Sequence, residues 1–184
     1  MNPVTHFLAG WLVANVDGLE RRDRALVTFA SVIPDADGLG ILTGIAFQDK
    51  SAALELYNQY HHVFAHNVFF GFLLVIAGYA LSKKKYLTAF LVLVSFHLHL
   101  LGDILSGRGP DGEIWTISYL FPVLREIQFS WPGQWELNAW PNFVITVAAL
   151  LLMFYLAWKR GFSPVSIFSM KADRAFVAAL RSRF

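Results

Sequence analysis

The sequence predicts an all-α, polytopic integral membrane bundle: three long and two short hydrophobic helices, an outer Trp-rich cap and a C-terminal amphipathic helix. Three observations predict it. The 184 residues are 56% hydrophobic and only 15% charged, against roughly 45–50% apolar and about 25% charged in soluble domains. Mean hydropathy is +0.49. Long apolar runs also recur at lengths near the ~20 residues that cross a ~30 Å hydrocarbon core. Disorder is excluded by the same composition. With no Cys, neither a disulfide framework nor a thiolate metal site is available. The pI of about 9.0 suggests a polyanion partner, but the formal net charge is only +2, so no nucleic-acid partner is expected.

Taken in order, residues 4–16 and 25–33 are the two short helices, separated by a charged turn over 17–24. The N-terminus lacks a basic leader and a small-x-small cleavage site, so His6 is expected to be retained. Residues 63–82 hold no Lys, Arg, Asp or Glu and predict the first long span. Residues 86–105 follow three lysines and predict the second, interrupted by His97, His99 and Asp103; 142–158 is the third. The stretch 106–141 carries four of the six tryptophans (Trp115, Trp131, Trp135, Trp140), a residue type that favours the headgroup level, and predicts an interfacial cap. From Pro164 onward, Phe168, Ala172, Phe176 and Leu180 recur every fourth residue among Lys and Arg, the pattern of a helix lying on a membrane surface. The expected division is a membrane domain over 1–160 and a basic tail over 161–184.

Basic residues set the expected orientation. With the Lys83–Lys85 loop in the cytoplasm and five alternating segments, cytoplasmic parts hold 12 of the 15 Lys and Arg; outside are Lys50, Arg108 and Arg125. This predicts the N-terminus outside and the C-terminus inside. His6, Asp35, Asp37, His61, His62, His66, His99 and Asp103 then all come to the outer end, from four segments. Ionisable groups in membrane segments are costly and are functional candidates by default.

Each element also has a structural reading. His99 and Asp103, four residues apart, share one helix face about 5–6 Å apart, and form either a ligand pair or a buried hydrogen bond. His62 and His66 have the same spacing, with His61 beside them. Pro34 to Gly38 makes a good turn, and its two carboxylates supply either turn chemistry or one ligand plus one orienting group. His97 points off the His99 face and is expected to pack. Several His with Asp and no Cys suit Zn²⁺ or a similar divalent ion, as one ion or as two sharing a carboxylate. Such a set hydrolyses phosphoesters, with Asp35 or Asp37 as general base and His62 or Arg108 touching the phosphate. The expected partners are membrane lipids and a small or lipid-linked phosphoester. The same His and Asp would serve a metal or proton transporter, although no internal repeat is visible, or a protein that only ties its helices together.

The order Thr5-His6, Pro34-Asp-x-Asp37, His61-x-x-x-x-His66 and His99-x-x-x-Asp103 resembles a family of bacterial and archaeal inner-membrane proteins predicted to be metal-dependent hydrolases, whose pattern reads roughly TH, PDxD, HRxxTHS and HxxLD. The resemblance covers residues 3–105. It departs at His62, Ala65 and Asn67, which replace Arg, Thr and Ser, and at Gly102, which replaces Leu. It implies His6, Asp35, His61, His66, His99 and Asp103 as the functional set, a distant likeness to zinc-dependent phospholipase C, and a prokaryotic inner-membrane location.

Overall fold

The structure is a computed structural model and describes residues 1–40, 62–109 and 112–183. Helix α1 (Pro3–Val13) starts where the Asn2 side chain accepts from the Thr5 amide at 2.9 Å and Pro3 presets the first turn. Helix α2 (Arg21–Ala30) begins inside the stretch predicted as a charged turn. Arg is a good helix former, and Asp23 in the first turn suits the positive end of the helix dipole. A 3₁₀ segment (Ile33–Gly40) carries Asp35 and Asp37.

Helix α3 (Val68–Leu81) occupies 14 residues of the 20-residue run predicted as a long span. The shortening has a local cause. Asn67 caps the helix by accepting from the Phe70 amide at 2.9 Å, while its amide nitrogen donates to the carbonyls of Val63 and Phe64. That bonding holds the preceding residues in turns. Helices α4 (Lys85–Ser106) and α5 (Trp140–Arg160) are 22 and 21 residues long, or roughly 32–33 Å at 1.5 Å per residue. The described residues therefore contain two helices long and apolar enough to cross a membrane, not three, beside the shorter apolar α1 and α3. Gly161 in the left-handed region closes α5. A 3₁₀ turn (Pro164–Ile167) then leads to α6 (Met170–Arg181).

Among the described residues there is no strand; two isolated bridges, Arg108 to Glu136 and Ile117 to Phe129, pin the cap. Phe69, Phe72, Leu73, Phe143, Val144 and Leu151 are exposed along α3 and α5. So much contiguous apolar surface is untenable in water and ordinary against lipid. The interior is small. Leu8 and Trp11 pack on Met153 and Ile167, and Val27 and Ala30 on Leu91 and Val92. Gly10 brings α1 and α2 together: a Cβ there would lie 2.0 Å from Ser31 Oγ and 2.7 Å from the Thr28 carbonyl.

One end of the bundle gathers the basic residues. Buried Asp23 accepts from the Lys83 and Lys84 amides at 2.9 and 3.1 Å, and Arg160 pairs with Asp17 at 2.8 Å. The Lys83 ammonium, hydrogen-bonded to Glu20, is held above the usual lysine range. The tail is tied to this end. Arg21 donates to the carbonyls of Ile167 and Phe168, and Arg181 to that of Trp158. Buried Asp173 and Val177 face inward from α6, Asp173 accepting from Ser163 N and Oγ. Phe168 and Ala172, from the apolar stripe read in the sequence, are exposed. The His and Asp side chains meet at the opposite end.

Candidate metal centre

Four backbone segments deliver the centre. Helix α1 contributes His6, the 3₁₀ segment Asp35 and Asp37, the turn before α3 His62 and His66, and the last turns of α4 His99 and Asp103. His6, His66, His99 and Asp103 are all buried. The missing side chain at Gly102 admits His6: a Cβ there would lie 3.0 Å from His6 Cε1, and the His6 and His99 rings sit 4.0 Å apart.

The hydrogen bonds fix which nitrogens face inward. His99 Nδ1 lies 2.9 Å from the Ser31 carbonyl, which can only accept, so Nδ1 carries the proton and donates. Its Nε2 lone pair then points into the cluster. His66 Nδ1 likewise donates to Asp37 Oδ2 at 2.9 Å, an oxygen that also accepts from the Ala65 amide. Inside, His66 Nε2 and His99 Nε2 are 3.0 Å apart. Asp103 Oδ2 lies 3.0 Å from His99 Nε2 and 3.5 Å from His66 Nε2. Asp103 Oδ1 is 3.1 Å from His6 Nε2 and also contacts the Met1 amino group. Asp35 Oδ1 is 3.8 Å from His99 Nε2.

Electron-rich atoms thus face one another in a buried site. Asp103 Oδ2 and Asp35 Oδ2 are both buried without a hydrogen-bond donor, an arrangement costly unless a cation lies between such groups. Bonds of 2.0–2.1 Å to a tetrahedral Zn²⁺-sized ion put neighbouring ligand atoms about 3.4 Å apart. The separations of 3.0, 3.1 and 3.8 Å among His6, Asp35, His99 and Asp103 bracket that value. These buried groups could hold a metal ion: His6, Asp35, His99 and Asp103 offer donor atoms within 4.8 Å of one another, as do His62, His66 and Asp103.

A pocket of about 260 Å³ opens beside the centre, lined by Asp35, His62 and Asp103 and walled by Pro3, Gly107, Trp115 and Leu137. Trp115 is held by buried Gln134, which bonds both its amide (3.0 Å) and its carbonyl (2.8 Å).

Of the residues singled out by sequence, His6, Asp35, His66, His99 and Asp103 come together. Asp37 lies behind His66 and orients it, and the His62 ring packs 4.6 Å from that of His66. His61 falls outside the described residues. Arg108 follows Gly107 but is tied through its amide to the Trp135 carbonyl in the cap. His97 faces away, with Nδ1 on the Leu93 carbonyl and Nε2 on the Tyr119 hydroxyl. Sequence reasoning missed Ser31. Its carbonyl orients His99 and its hydroxyl donates to the His6 carbonyl at 2.7 Å, so one residue sets two of the donors. It also missed Gln134, whose only signal was a polar residue among the cap tryptophans.

A family model described as YdjM inner membrane protein matches residues 1–170. No curated protein and no solved structure matches.

Proposed function

The chain belongs to the YdjM inner membrane protein family, and on that footing we propose that it is a membrane-embedded, metal-dependent hydrolase of phosphoesters. The observation that carries the reading is the inward-facing set of His6, His99 and Asp103 around an orphaned carboxylate oxygen, beside an open pocket. A closed structural site needs only saturating ligands, whereas a catalytic site keeps a position for water; the pocket supports the second. A divalent ion, zinc in first place, would supply Lewis acidity there, activating water and neutralising charge on a phosphoryl oxygen.

The chain's own residues divide the remaining work. His6, His99 and Asp103 would hold the ion, and Ser31 keeps His99 in the tautomer that offers Nε2. Asp37, committed to His66 and Ala65, positions rather than reacts. Asp35 lines the pocket with one unpartnered oxygen and takes the proton from the attacking water. Trp115 and Leu137 shield the substrate from bulk solvent. The basic end lies in the cytoplasm by the positive-inside rule, which sets the centre at the outer leaflet, level with phospholipid and lipid-linked phosphate headgroups.

The test is a panel of phosphomonoesters, phosphodiesters and lipid pyrophosphates, presented in bilayers to the purified full chain with Zn²⁺, Mn²⁺ or Co²⁺. Turnover should vanish with chelator. Asp103→Asn should lose at least about 100-fold, which corresponds to ~2.7 kcal/mol of transition-state stabilisation. No substrate turning over above the Asp103→Asn background would defeat the hydrolase reading.

A further inference from the structure

We infer that His62, with His66 and Asp103, holds a second divalent cation, so that Asp103 bridges two ions. The inference rests on the metal centre proposed above and deepens it. His6, His99 and Asp103, with water in the fourth position, are enough for one tetrahedral ion without His66. His66 is nevertheless fully buried, and Asp37 holds its proton on Nδ1, so that Nε2 is presented inward as a ligand would be. His62 joins it. Its backbone sits in the left-handed region at φ 69°, uncommon for a residue with a side chain, and its ring packs against those of His66 and Trp115. His62, His66 and Asp103 offer donor atoms within 4.8 Å of one another.

Asp103 is suited to join the two sets, because its oxygens face different neighbours. Oδ1 faces His6 at 3.1 Å, while Oδ2 lies between the two sets, 3.0 Å from His99 Nε2 and 3.5 Å from His66 Nε2. A carboxylate used in this way holds two ions about 3.5–4 Å apart, a spacing that clamps both oxygens of a phosphoryl displacement. His62, Asp35 and Asp103 all line the pocket, so both ion positions border the space a substrate would enter.

Metal content of the purified full chain, equilibrated with Zn²⁺ and freed of loosely held ions, tests this directly. The wild type should carry two equivalents and His62→Gly one. Glycine removes the imidazole while accepting a positive φ, so the turn is preserved, and thermal unfolding verifies the fold. Mn²⁺-loaded wild type should also give the electron paramagnetic resonance spectrum of an exchange-coupled pair, a readout that needs no variant. One equivalent in both proteins, with an uncoupled Mn²⁺ spectrum, overturns the second ion and leaves the single-ion centre intact. No bound metal in the wild type overturns both. Two equivalents retained by His62→Gly removes His62 from the centre.

Discussion

Replacing Gly10 by Ala should damage the metal centre from one helix turn away. A Cβ at position 10 would lie 2.0 Å from Ser31 Oγ, 2.7 Å from the Thr28 carbonyl and 2.9 Å from Ser31 Cβ. Turning the Ser31 hydroxyl aside relieves the first contact only, because the other two involve backbone or the root of the side chain. Helix α2 must therefore move off α1. The methyl gains up to ~1 kcal/mol of helix propensity, whereas overpacking costs about 1–3 kcal/mol. Loss of the one Ser31 hydroxyl proton's bonding, shared between the His6 and Thr28 carbonyls, adds roughly 0.5–1.5 kcal/mol. The clash wins, with a net loss of about 0.5–4 kcal/mol and a Tm lowered by several degrees, on the order of 10 °C at the upper end. Because the Ser31 carbonyl orients His99, metal should be lost along with stability. Unfolding and metal content are measured on the same preparation. Gly78→Ala, where the nearest contact is the Val92 methyl at 3.0 Å and the centre is remote, serves as comparison and should keep its metal. Wild-type metal content and Tm in Gly10→Ala would refute the role given to Ser31 and to the α1–α2 contact.

Two further outcomes are expected. Asp37→Asn keeps the shape of the acceptor but weakens its hold on His66 Nδ1, so metal affinity measured by competition with a chelator should fall about 10–100-fold while the fold persists; unchanged affinity would show that Asp37 does not position a ligand. Single cysteines at Lys84 and Gly109 should react with impermeant reagents from opposite faces of the membrane, Gly109 from outside, and labelling of both from one face would overturn the proposed topology and the outer position of the centre.

Helix α4 was nearly legible residue by residue, expected over 86–105 and found as Lys85–Ser106, because a lysine run bounds a long apolar stretch. The start of α3 was not. Asn67 is one polar residue in an apolar run, and composition cannot reveal that it caps one helix while holding the preceding turn. At the centre, the spacing of His99 and Asp103 announced a shared face. The division between Asp35 and Asp37 was hidden, since residues two apart in a turn are equivalent until the partner of each is known; the contact with His66 separates them. Ser31 was invisible for a different reason. It orients His99 through a backbone carbonyl, a group every residue carries, and only the close passage of α2 past α1 at Gly10 gives it that role.

The separation of charges from donors along the helices has a consequence for how the protein is supplied. Asp23, Arg160 and the clamped tail close the basic end, while the pocket beside Asp35 and Asp103 is at the other. On the proposed metal-dependent reading, ions would reach the donors from the side on which this pocket opens. Occupancy would then follow the free-metal level of that compartment rather than the buffering on the far side. Starvation of one compartment would switch the protein off while the other remained replete.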